Sequence, residues 1–156
     1  MHGVVPPSST PSDAPGEQAT WRLRAMRLRL WPEAKPAVPV HEHGWVHAGN
    51  ERVLRRLLAE QQPRVAVELG AWLGLCTQLL LEAAPQLRVF AVDIWDAETL
   101  LSTQASQYEH DADAMSILRT VPLHETFLAN TWEHRHRLFP LRMKTVDGLR
   151  TIHRLG

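Results

Sequence analysis

VAVELGAWLGLCT, residues 65–77, runs from an apolar stretch through an acid and two glycines into a helical pattern. Arg64 to Leu69 is a near-continuous apolar run with no polar face, as expected of a central parallel strand covered on both sides. Gly70 follows at a turn, and LGLCTQLLLEAA reads as a helix closed by Pro85. RVFAVDIW, residues 88–95, is a second buried strand. Strand, helix and strand in about thirty residues have the length of a right-handed βαβ unit. The expected fold class is α/β with a parallel sheet.

In such a unit, ligands bind beyond the carboxyl ends of the strands, against the N-terminus of the first helix. Gly70 permits a turn that a side chain would block, and Gly74 lets helix and strand backbones approach. Asp93 ends the second strand on the same edge of the sheet as this elbow. A carboxylate there can accept hydrogen bonds from the vicinal hydroxyls of a ribose, so the pattern points to an adenosine-containing cofactor. A dinucleotide fingerprint needs glycine at 72 and 75, where Trp72 and Leu75 stand, which disfavours NAD. The Gly-Lys-Ser/Thr of a P-loop is absent. The bland alternative is a buried strand-turn-helix with incidental acids. Against it, Glu68 and Asp93 interrupt apolar runs at equivalent strand ends.

The pattern Glu-x-Gly-x-x-x-Gly with an acid closing the next strand resembles the S-adenosylmethionine (SAM) pocket of class I methyltransferases. The resemblance continues through HGW (43–45), VELGAWLGLCT, VFAVDIWD and HETFLANTWEHRHRLFPLRMKTVDGL, and covers roughly residues 40–156. It implies that Glu68, Gly70, Ala71, Trp72 and Gly74 surround the methionine part of SAM. It also implies that Asp93 holds the ribose, with Ile94 and Trp95 beside the adenine. Phe139 to Met143 would be the third strand, and Thr145 to Gly148 would open the next helix near the adenine edge. At 144, where the family commonly has an acid, this chain has Lys144. His43, Gly44 and Trp45 match a leading segment that folds over the cofactor.

The rest of the sequence sets the context. Lys plus Arg and Asp plus Glu balance at 17 each among 156 residues, so nothing global draws the chain to nucleic acid or an anionic membrane. The single cysteine, Cys76, excludes an internal disulfide and a cysteine-built zinc site. With no apolar run of membrane-spanning length and no secretory-signal core, a cytoplasmic protein is expected. Residues 1–38 read as a separate arm. Residues 1–20 are rich in Pro, Ser, Thr and Gly and are expected to be disordered. WRLRAMRLRLWPEAKP fits neither a helical nor a strand period; it is either an organelle-targeting stretch or an arm whose Trp21 and Trp31 dock on the domain. His41, His43 and His47 do not share one face on either a helix or a strand, so no metal site is assigned. Asn50, or Gly49-Asn50, is expected to cap a helix whose apolar stripe is Val53, Leu54, Leu57 and Leu58. Acids from Glu109 to Asp113 read as a solvated loop, and EHRHR (133–137) as charges splayed round a helix.

The expected architecture is a partial Rossmann-like doubly wound sheet, strand order 3-2-1 with flanking helices, truncated before a fourth strand. Residues 39–156 would be the SAM-binding part, with strand 1 left as an apolar edge open to self-association or complementation. The expected activity is SAM-dependent methyl transfer to a small-molecule acceptor, incomplete in this chain, with no catalytic residue assigned. The alternative is a non-catalytic half-domain binding a nucleotide-like ligand or a partner.

Overall fold

A computed structural model describes residues 15–155. The described elements are α1 (Pro15–Leu30), α2 (Ala48–Gln61), β1 (Val65–Leu69), α3 (Leu75–Ala83), β2 (Arg88–Asp93), α4 (Ala97–Tyr108), α5 (Ala112–Thr120), α6 (Leu123–Asn130), β3 (Leu138–Arg142) and α7 (Thr145–His153). The strands form one parallel sheet in the order β1-β2-β3, with Val67 opposite Phe90 and Phe90 opposite Phe139. The class is α/β with helices flanking a parallel sheet.

Side chains alternate across the sheet. Val89, Ala91 and Leu138 face the larger core, with Leu58 of α2, Leu80 and Leu81 of α3, and Phe127 and Leu128 of α6. Phe90, Val92, Phe139 and Leu141 face the other way, under Leu23, Met26 and Leu30 of α1 and Ile152 of α7. Phe90 and Phe139 stack with centroids 4.7 Å apart. On α7, a methyl group at Gly148 would lie 2.4 Å from Val92 Cγ1, so glycine sets how closely that helix sits on β2.

Four expectations are corrected here. The first strand is not covered on both faces: β1 lies at the edge of the sheet beside β2, with Val65, Val67 and Leu69 exposed by 50%, 40% and 48%. Register puts these three on the α1/α7 face, where neither helix covers them. Residues 1–14 of the arm lie outside the described residues. From Pro15 the chain is helical, so the disorder expected to residue 20 does not hold there. The arginine-rich stretch docks: Trp31 Nε1 donates to Leu138 O at 3.0 Å and the Trp31 ring meets Trp132 edge-on. Trp21's side chain is outside the described set. Third, α2 starts at Ala48 after His47, with Asn50 inside its first turn, and only Leu58 of its stripe is fully buried. Fourth, Glu109 to Asp113 is not merely loop, because Asp111 caps α5 by accepting from Ala114 N at 2.9 Å.

The EHRHR stretch passes through a short 3-10 turn, and Arg137 turns inward. Its guanidinium donates to the carbonyls of Leu81, Ala84 and Leu87, satisfying acceptors around the end of α3 that have no helical partner. Among the described residues no helix is long and apolar enough to cross a membrane.

Gly148→Ala tests the closeness of α7 to β2. The clash should outweigh the roughly 1 kcal/mol that alanine gains in helix propensity. A net loss of about 1–2 kcal/mol in urea unfolding is expected. Stability at or above the parent's would show that Val92 and α7 separate freely.

Candidate functional site

The elbow after β1 is built from left-handed backbone. Gly70 has φ +79° and Gly74 φ +91°, but so do two tryptophans, Trp72 at +50° and Trp95 at +40°. A non-glycine residue there carries strain of about 1–2 kcal/mol. One side chain holds both tryptophans. Asp93 Oδ2 accepts from Trp72 N at 2.8 Å, and Asp93 Oδ1 accepts from Trp95 N at 3.0 Å. The Trp95 indole then donates to Trp72 O at 2.6 Å, closing a ring of contacts between the two loops.

The two glycines serve different ends. Gly70 has open space where a side chain would start, so its positive φ is what selects glycine at this turn. Gly74 begins α3, and a methyl group there would lie 2.7 Å from Thr131 Cγ2 and 3.2 Å from Phe127. It therefore admits the end of α6, not a strand backbone.

Two cavities flank the elbow, and Gly70 and Trp72 line both. The larger, about 460 Å³, opens at the carboxyl ends of β1, β2 and β3 and brings together Gly70, Trp72, Asp93, Ile94 and Thr145. Its far wall is α4, through Thr99, Thr103, Gln104 and Tyr108, with Lys144 at the β3 end. The smaller, about 180 Å³, lies under the HGW segment and contains Glu68, Ala71 and Cys76. Of the expected site residues, Trp95 and Gly74 line neither. Trp95 is 2% exposed and packs on Phe127 and His124, so it is core rather than an adenine wall.

The HGW segment is strapped across the elbow. Asn130, the last residue of α6, donates to His41 O at 2.8 Å and Leu73 O at 2.7 Å and accepts from His41 N at 3.1 Å. A methyl group at Gly44 would lie 2.8 Å from Leu75 Cβ, so the strap presses directly on α3. Trp72 Nε1 donates to His43 Nδ1 at 3.1 Å, which assigns the His43 proton to Nε2, facing Asp111 Oδ2 at 3.4 Å. Trp45 Nε1 donates to the same oxygen at 3.1 Å. Trp45, Trp72 and Tyr108 pack together, with Trp72 and Tyr108 stacked 5.7 Å apart. Asn130, Asp111 and the α4 wall were not found from the sequence. The spacing of Thr99 and Thr103, four apart on one helix, was the available signal for α4.

The electrostatics separate the two acids. Burial pushes Glu68 up to about 7 despite hydrogen bonds from Thr77 Oγ1 at 2.5 Å and from Cys76, with the Asp93 charge adding to the rise. Burial also raises Asp93, opposed by the amides of Trp95, Trp72 and Ile94. Burial and the neighbouring Glu68 push the Cys76 thiol up to about 12, so it stays protonated near neutrality and is no nucleophile. Among the described residues, no three His, Cys, Asp or Glu side chains converge as a metal site.

Comparison with protein-family models, with curated proteins and with solved structures finds no match to this chain.

Two substitutions test this geometry. Asp93→Ala should lose roughly 2–4 kcal/mol, since it frees two buried amides and the strained tryptophans they hold. A loss under about 0.5 kcal/mol would mean the two loops are held by something else. For Glu68, the folded pKa is raised above the unfolded one, so its contribution to stability is full below pH 4.5 and is lost as pH rises through about 7. Glu68→Gln should therefore match the parent at low pH and exceed it by up to about 3 kcal/mol above pH 8. Parallel stability curves for the two proteins would contradict this.

Proposed function

We propose that this chain binds S-adenosylmethionine across the elbow and serves SAM-dependent methyl transfer to a small-molecule acceptor. The observation that carries the reading is the shared larger cavity: the glycine elbow after β1 and the carboxylate ending β2 line one space of about 460 Å³. That volume suits a nucleoside-sized ligand. Two close backbone amides occupy one acceptor site on each oxygen of Asp93, and the Ile94 amide adds a weaker contact. A carboxylate has about four, so both oxygens retain capacity for ribose hydroxyls. Ile94 and Thr145 would flank the adenine, with Lys144 where an acid was anticipated.

The smaller cavity supports the same reading. Glu68, Gly70, Ala71 and Trp72 line it, and these are four of the five residues expected round the methionine part. A sulfonium beside Glu68 favours the ionised carboxylate. The cofactor supplies an activated methyl group, and the chain's own contribution is to position it for in-line attack. In this reading β1-β2-β3 is the 3-2-1 part of a doubly wound sheet, residues 39–156 are its SAM-binding portion, and a fourth strand would pair with the free edge of β1.

A second reading, a non-catalytic half-domain that binds a ligand or partner, draws on that edge. Val65, Val67 and Leu69 present an apolar row beside backbone groups that pair with no other strand among the described residues, a template for another strand. If the edge mediates self-association, Val67→Lys should shift sedimentation towards monomer. A parent protein that sediments as monomer at high concentration would rule self-association out.

Calorimetry with SAM and its neutral-sulfur product, S-adenosylhomocysteine, tests the leading reading. Affinity for SAM should rise by up to about tenfold as pH increases through 7, because the sulfonium pairs only with ionised Glu68. Affinity for the product should change less, and Glu68→Gln should flatten the difference. Folded protein that binds neither ligand at millimolar concentration sinks the proposal.

A further inference from the structure

A second group of cavities lies at the amino ends of the strands, opposite the elbow. A space of about 180 Å³ is lined by Leu23, Arg24 and Arg27 of α1, Arg88 of β2, His136 and Phe139. It adjoins one of about 480 Å³ walled by Trp31, Trp132 and Arg135, and Arg27 and His136 line both. Three separate segments thus deliver four arginines and a histidine to one groove. Consecutive charges at 133–137 gave no compact anion site from the sequence alone. The docked α1 supplies the missing cations.

The neighbouring acids do not neutralise them. Among the described residues, none of Arg24, Arg27, Arg88 or Arg135 forms a salt bridge, whereas Arg55, Arg56 and Arg150 each pair with a carboxylate on their own helix. Arg27 donates to His136 O at 3.1 Å, and Arg135 donates to Trp132 O at 3.0 Å while lying over its indole. Each uses one of its five N–H donors in the named bond, and the rest remain for a ligand. His136 feels this crowding: burial, then Arg137 and Arg27, hold its imidazole below the ordinary range. Converging like charges are unfavourable unless an anion joins them.

We propose that the groove between α1 and the turn before β3 binds a small anion carrying at least two linked phosphate groups. Guanidinium forks match phosphate oxygens in pairs, which a single weak carboxylate would not satisfy as fully. The extent is small. The chain as a whole carries no net charge, and Glu33 lines the outer cavity, so no basic track continues for a long polyanion. The phosphate can come as a free diphosphate or as part of a nucleoside polyphosphate, and the test separates the two.

Calorimetry on the full chain uses inorganic pyrophosphate, orthophosphate and ATP as probes. Pyrophosphate should bind, more weakly as salt is added, and orthophosphate should bind less well. ATP tighter than pyrophosphate identifies a nucleotide as the favoured source; equal affinities identify the diphosphate alone. The Arg24→Ala/Arg88→Ala variant should lose about tenfold or more in pyrophosphate affinity. Neither side chain donates a hydrogen bond among the described residues, so its circular dichroism should match the parent's. Absence of pyrophosphate binding, orthophosphate bound equally well, or unchanged affinity in a folded double variant would each overturn the proposal.

Discussion

The structure around the elbow depends on Asp93 gripping two backbone amides from opposite loops. Trp72 follows β1 and Trp95 follows β2, both in a left-handed conformation that favours glycine. Each amide meets one oxygen of a single carboxylate. Such strain persists only where the surroundings over-determine it. Once Trp72 is fixed, its indole face sets the position of Tyr108, Trp45 and His43, and so of the strap. The acid at the end of β2 thus organises the cavity before any ligand enters it. It also holds bulky Trp72 in place where a dinucleotide-binding turn uses glycine.

Much of the framework was legible because its signals are local. The β1–α3–β2 unit follows from apolar runs, a positive-φ glycine and Pro85, none of which needs distant partners. The helix from Thr145 likewise begins where the sequence suggests. What escaped was set by contacts across the chain. β1 reads as covered on both faces because Val65, Val67 and Leu69 are apolar, yet the described residues leave these side chains 40–50% exposed. Apolar content shows what a strand can bury, not what is present to bury it. The α1 stretch fits neither period because its arginines are interleaved with its apolar residues, and only packing on Phe90 and Phe139 reveals which side faces inward.

The site divides along the same line. Gly70, Asp93, Ile94 and Thr145 meet because strand ends in a parallel sheet share one rim, which sequence order alone supplies. Trp95 was misplaced because the backbone turns left-handed at that residue and carries its ring into the core. Asn130 and Asp111 were invisible as strap holders, since their partners at His41, His43 and Trp45 are remote in sequence. Glu68 and Asp93 look alike as strand-end acids. Their surroundings divide them: one is held by a threonine hydroxyl and burial, the other by backbone amides.

The lodging of Trp31 against the carbonyl of Leu138 spans 107 positions along the chain. During synthesis, the first helix emerges long before the strand that receives it. Until that strand arrives, the phenylalanine pair of the sheet is not assembled and the helix has no seat. Closing so long a loop is entropically slow. Docking of α1 should therefore be a late step of folding, completed only after β3 has joined the sheet.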